Sequence, residues 1–183
     1  MIDFFLHLEQ LLPVLLAQYG VWIYAILFVI IFAETGFVFF FFLPGDSLLI
    51  AIGALCSSSA LIHLHYMMVL LIIAGILGYI VNYLMGKKLG FKFAQQHSRW
   101  LKPEYMQKTN HYFTQHGGKT ILIARFIPFV RSFAPFAAGA GEMSFNTFMF
   151  HNIAGAVVWI ISLLSIGYGL GNTLSFVVDL MNH

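Results

Sequence analysis

The sequence predicts an all-α polytopic membrane protein with about three full spans, two opposed re-entrant hairpins and an amphipathic helix lying on the membrane surface. Three observations carry this. Of 183 residues, 60% are hydrophobic and only 9% are charged, with 20 Phe and a mean hydropathy of +0.87; soluble domains carry about 25% charged residues. A chain this short leaves much of its surface exposed even when folded, so the apolar excess has to face lipid. Long uncharged stretches recur along the chain, and two of the apolar stretches are broken by proline, glycine and charge. Disorder is excluded by the shortage of polar residues. The net charge of +2 gives no basic field for nucleic acid. The single Cys56 rules out an internal disulfide framework. The chain reads as one membrane domain over residues 1–183.

No cleavable signal peptide is expected, because Met1-Ile2-Asp3-Phe4 has no basic residue ahead of the first apolar stretch. Residues 11–33 form the first predicted span, with Pro13 tolerated in the opening turn. Residues 34–62 are apolar but broken by Leu43-Pro44-Gly45-Asp46, where Pro44 and Gly45 favour a turn. Residues 66–86 give a second span, interrupted only by Asn82. Residues 120–141 are apolar but contain Arg125, Pro128, Arg131 and Pro135, with Pro128 and Pro135 as the expected helix breakers. Residues 145–170 give the third span, ending in Gly167-Tyr168-Gly169-Leu170-Gly171. Each broken stretch leaves pieces too short to cross about 30 Å of hydrocarbon, and such backbone survives only where protein or water covers it. Both are read as re-entrant hairpins; two ordinary kinked spans are the alternative.

The connection 87–119 holds Lys87, Lys88, Lys92, Arg99, Lys102, Lys108 and Lys119 against a single acid, Glu104, and is therefore expected on the cytoplasmic side. With two hairpins, the N-terminus is then cytoplasmic and the C-terminus external. Inside the connection, Pro103-Glu104 starts a helix and Gly117-Gly118 stops it, and Tyr105, Met106, Thr109, Tyr112 and Phe113 share one face. A broken hairpin followed by a span occurs on either side of this connection. That layout resembles an inverted repeat with broken helices meeting near the midplane, as in secondary transporters.

Four charges lie in or beside the broken segments: Glu34, Asp46, Arg125 and Arg131. Each costs about 2.5–3.5 kcal/mol alone at a helix centre. Two acids in one hairpin and two arginines in the other sum to zero, so the hairpins are expected to meet through them. Taken singly, Glu34 fits a snorkelling side chain and Asp46 a cap on the helix beginning at Ser47. The arginines are harder to dismiss, because Arg cannot shed its proton and its fork suits phosphate or carboxylate. The other candidates are weaker. His63 and His65, and His111 and His116, form no shell for a metal, and no cofactor motif is present. The Phe39-Phe40-Phe41-Phe42 run reads as lipid or core contact, and the glycines of residues 78–86 as close helix packing.

Glu34-Thr35-Gly36 with Leu43-Pro44-Gly45-Asp46, and Arg125-Phe126-Ile127-Pro128-Phe129-Val130-Arg131 followed by Pro135, Ala138-Gly139, Met143, Phe148, Asn152, Gly155-Ala156 and Trp159, resemble the two signatures of the DedA family, also called the SNARE-associated or VTT-domain family. The resemblance covers about residues 30–160. It implies a bacterial cytoplasmic (inner) membrane protein with opposed hairpins, similar to phospholipid scramblases and linked to undecaprenyl phosphate recycling and the proton-motive force. It maps an acidic, proton-coupling pair onto Glu34 and Asp46, and an arginine pair onto Arg125 and Arg131.

Three functions compete. A lipid-phosphate translocase, moving undecaprenyl phosphate or a related anionic lipid inward at the expense of the proton gradient, uses all four charges and is the expectation taken. A proton-coupled transporter of small cations or drugs leaves the arginines without a ligand. A lipid phosphatase needs His151 as nucleophile or base and lacks a partner for it, so no enzyme activity is expected. The expected partners are an anionic membrane lipid and protons; a homo-oligomer is compatible with the sequence.

Overall fold

Only some of the prolines and glycines mark helix ends: Pro128 opens a helix, whereas Pro135 and the glycines at 167, 169 and 171 lie inside helices. The computed structural model describes residues 22–40, 45–58, 64–95 and 117–181, and among them there are helices and turns but no strand. In chain order the α-helices are α1 (Trp22–Gly36), α2 (Gly45–Ser58), α3 (Leu64–Gln95), α4 (Lys119–Ala124), α5 (Pro128–Ala140) and α6 (Phe145–Met181), with a 3₁₀ turn at Val38–Phe40 after α1. Among the described residues, two stretches are long and apolar enough to cross a membrane, Leu64–Leu89 in α3 and Phe145–Thr173 in α6. At 1.5 Å per residue, α2 and α5 reach about 20 Å and α4 about 9 Å, short of the roughly 30 Å hydrocarbon layer.

Three boundaries differ from the sequence reading. Helix α3 runs past residue 86 to Gln95, because Lys87 and Lys88 are good helix formers and nothing there breaks the helix. Helix α6 runs through its glycines to Met181 instead of ending near residue 170. Pro135, expected with Pro128 to break the chain, lies inside α5, which continues to Ala140. The break falls at Ile127. Its backbone is extended (φ −108°, ψ 109°) because the following proline disfavours the helical region, and Pro128 then opens α5. The N-terminal part of the first span, Pro44, His63, His111, His116 and the amphipathic helix of the basic connection lie outside the described residues.

The chain divides into two compact units. One comprises 1–30, 44–72 and 160–183, and the other 31–43 and 73–159. In the first unit, α2 packs on the C-terminal half of α6 through glycine. A Cβ on Gly53 would lie 2.9 Å from the Tyr168 nitrogen, and one on Gly167 2.9 Å from the Ile50 Cα. These glycines serve close helix approach, which is why the helix passes through them.

In the second unit, α3 presents Ala74, Tyr79, Asn82 and Tyr83 inward, at helical spacing, while Ile73, Leu77 and Leu84 face outward and are exposed. Asn82 and the two tyrosine hydroxyls are thus turned inward, while the outward side chains of this stretch are apolar, as a lipid-facing helix requires. Tyr79, Tyr83, Ile121, Ala124, Ala134, Ala138, Met143 and Phe148 form the core, with the Tyr83 and Phe148 rings stacked at 4.4 Å. Helix α5 ends in a Schellman turn: the Met143 amide donates to Ala138 at 3.0 Å and the Glu142 amide to Gly139 at 3.2 Å. This puts Glu142 at φ 55°, a left-handed conformation that costs a non-glycine residue about 1–2 kcal/mol.

Helices α3 and α5 cross where Gly86 faces the Phe136 backbone; a Cβ on Gly86 would lie 2.9 Å from the Phe136 Cα. Gly86→Val should therefore lower stability by about 1–3 kcal/mol, read as a fall in unfolding temperature in detergent. Gly169→Ala, where a Cβ meets nothing within 4 Å, should leave it unchanged or raise it.

Candidate functional site

The break between α4 and α5 places Arg125 just before Ile127 and Arg131 one turn into α5, and both side chains turn inward, 1% and 4% exposed. Arg125 Nη2 donates to the Gly75 carbonyl at 3.1 Å and to Asn152 Oδ1 at 2.9 Å. Asn152 is held for this by its own amide, which donates to the Ile76 carbonyl at 3.2 Å. The guanidinium carbon stands 3.9 Å above the Tyr79 ring and 5.6 Å from the Trp159 ring centroid. A desolvated cation over an aromatic face gains about 2 kcal/mol. Nε and Nη1 have no acceptor, and Arg125 makes no ion pair, among the described residues.

Arg131 is compensated differently. Its Nη2 pairs with Glu34 Oε1, and both side chains are buried. Its guanidinium carbon also lies 5.4 Å from Trp159, so one indole ring serves both arginines. Glu34 reaches this position from the last turn of α1, where Thr35 bonds back to the Ile31 carbonyl at 2.7 Å. Gly36 faces Gly78 of α3 closely enough that a Cβ on Gly36 would lie 3.3 Å from the Gly78 Cα.

Asn82 joins the two sides of the pair. Its single amide nitrogen donates to the Thr35 carbonyl at 3.2 Å and the Ser132 carbonyl at 2.9 Å. Thr35 is next to Glu34 in the chain and Ser132 is next to Arg131, so α3 holds both partners in register through their neighbours' backbones.

Of the four charges singled out in the sequence, the structure brings Glu34 and Arg131 into contact and sets Arg125 in the same unit. Asp46 stands in the first turn of α2, in the other unit, with Gly45 at the helix start. His151 turns its Nδ1 to the Thr147 carbonyl at 2.9 Å. Sequence reasoning missed the roles of Tyr79, Asn82, Asn152 and Trp159. Asn82 was visible as the polar interruption of a span, but its two acceptors are 47 and 50 residues away along the chain.

The model of the VTT domain matches residues 43–169. The chain is 48% identical to protein DedA of Escherichia coli K12 over 181 residues, covering 98% of this chain and 82% of that protein. The chain belongs to the DedA family. This DedA-family chain is also 38% identical to the inner membrane protein YqjA of Escherichia coli K12 over 152 residues, 82% of this chain and 69% of YqjA. It is 37% identical to an uncharacterized membrane protein of Mycobacterium leprae over 145 residues, 79% of this chain and 64% of that protein. No solved structure matches it. Its family and its relatives make the DedA-family chain a membrane protein, and two helices of spanning length among the described residues agree with this.

Removing one partner of a buried ion pair leaves the other charge uncompensated, at a cost of about 3–5 kcal/mol. Arg131→Met should therefore lower the unfolding temperature of the protein strongly, and adding Glu34→Gln should restore most of the loss. Equal unfolding temperatures for the single and double variants would show that the carboxylate is not the group left exposed.

Proposed function

We propose that this DedA-family protein translocates an anionic lipid phosphate across the cytoplasmic membrane, inward and coupled to the proton gradient, with undecaprenyl phosphate as the leading cargo. The observation that carries the reading is Arg125. A permanent cation lies fully buried without a carboxylate partner among the described residues, and two of its nitrogens have no acceptor. A phosphate monoester supplies both the missing charge and the missing acceptors, and a guanidinium fork matches its geometry.

Coupling rests on the second arginine. While Glu34 is ionised it occupies Arg131. Protonation from the acidic outer face releases Arg131, so that both guanidiniums face the headgroup; deprotonation toward the cytoplasm restores the pair and expels the phosphate. Asp46 is assigned to the proton-coupling pair with Glu34 on the strength of the family resemblance. The short α4–α5 segment, and α2 with the chain before it, act as re-entrant hairpins, leaving the 87–119 connection cytoplasmic. Short helices, burial of the charges and the outward apolar face of α3 support this arrangement. A proton-coupled carrier of small cations is a poorer fit, because a cationic cargo gains nothing from Arg125.

Purified protein in liposomes should move labelled undecaprenyl phosphate inward faster under an inside-alkaline gradient. Arg125→Lys should impair transport despite the retained charge, because Lys cannot bond in a fork. Glu34→Gln should keep headgroup binding and lose the response to the gradient. Lipid movement that ignores the gradient in the parent protein, or a normal rate for Arg125→Lys, overturns the mechanism. In a Cys56→Ser background, cysteines at Met1 and His183 should label from opposite sides of the membrane; labelling from one side overturns the paired hairpins.

A further inference from the structure

Two buried side chains of the second unit, Asn82 and Ser132, each carry a polar atom that the fold leaves unused. The Asn82 amide nitrogen donates to the Thr35 carbonyl at 3.2 Å and to the Ser132 carbonyl at 2.9 Å. These two acceptors fix the orientation of the side chain, because turned over it would set its own oxygen against two carbonyl oxygens. Oδ1 therefore faces away from both, and it has no partner among the described residues. The Ser132 hydroxyl has none either.

Elsewhere the same groups are satisfied. Asn152 uses both ends of its amide, accepting from Arg125 and donating to the Ile76 carbonyl. Thr35, Ser57 and Thr173 turn their hydroxyls back onto their own helices. Two unmatched atoms on residues that are themselves hydrogen-bonded are what an internal water satisfies, since such a water makes about three bonds to otherwise unmatched buried groups. Local charge favours this neutral occupant over a metal cation. Glu34, Arg125 and Arg131 are the charged side chains buried among the described residues, and they already sum to a net positive charge. Thr35 follows Glu34 in the chain and Ser132 follows Arg131, so the unused atoms lie beside the ion pair.

We propose that Asn82 Oδ1 and Ser132 Oγ hold a buried water that delivers the proton to Glu34. The water donates one O–H to Asn82, accepts the Ser132 hydroxyl, and offers its other O–H to the Glu34 carboxylate. In the transfer that O–H bond breaks and its proton bonds to a carboxylate oxygen. The water takes a replacement proton from a solvent hydronium and is regenerated uncharged. The other titratable groups of the cluster are Arg131, Arg125 and Tyr79. The assignment rests on Glu34 being the coupling carboxylate of the proposed function. It makes Asn82 and Ser132 positioning residues, which set how fast the proton arrives.

The test takes two readings on the full chain in liposomes. Water-edited solid-state NMR should show magnetisation passing from water to the side chains of Asn82 and Ser132, and not to Phe148 in the core of the same unit. After an acid jump, the infrared carboxyl band that is missing in Glu34→Gln should grow about tenfold more slowly in Ser132→Ala than in the parent, and reach the same amplitude. Ser132→Ala keeps the backbone carbonyl that Asn82 bonds, so the ion pair stays in register. Its unfolding temperature should fall by about 2–4 °C, the effect of one lost hydrogen bond. A rise instead, as when an unmatched hydroxyl is removed from a dry site, overturns the water. No transfer from water to either side chain overturns it as well, and an unchanged rate in Ser132→Ala overturns the relay. Failure of the proposed function is read apart from these, as lipid movement that ignores the gradient while the water contact and the slowed Glu34 band are as expected.

Discussion

A guanidinium cannot give up its proton, so burying two of them dictates what surrounds them. Around Arg131 the answer is a carboxylate, Glu34, delivered by the last turn of α1. Around Arg125 it is a set of partial charges: two oxygens and the rings of Tyr79 and Trp159. Much of the second unit serves these two solutions. The glycines at 36 and 78 bring backbones together beside Glu34, and Asn82 and Asn152 commit their amides to carbonyls that hold the segments in place.

The two arginines are thus chemically distinct despite their symmetric placement about Pro128. One is neutralised by a carboxylate; the other is held by neutral oxygens and aromatic rings. This asymmetry gives the proposed cycle its two functions, with Arg125 as a constant anchor and Arg131 as the group whose availability changes. Desolvation of Arg131 is offset within the protein, whereas Arg125 retains donors that an anion can satisfy.

Inverted polarity runs through the second unit. Along α3 the buried face carries Tyr79, Asn82 and Tyr83, and the exposed face carries Ile73, Leu77 and Leu84. In lipid the apolar side costs nothing to expose, so the unit is held by van der Waals packing of its core, close approach at small residues and hydrogen bonds. Where α3 leaves its apolar stretch, Lys87, Lys88 and Glu142 line one pocket.

The sequence by itself determined the class, the helical content and the charges that matter, because composition and the cost of charge in lipid act locally and leave marks in the letters. It located the break beside Pro128 for the same reason: proline acts on its immediate neighbour. It misjudged Pro135, because the end of α5 is decided further along the chain, by the Schellman turn that Glu142 and Met143 close. It also stopped α6 at its glycines, whose meaning depended on the Ile50 backbone far away in the chain. Only the tertiary structure decided which acid meets which arginine. Glu34 and Arg131 lie 97 residues apart, and their contact depends on Asn82 bridging two backbones, a relation with no sequence period.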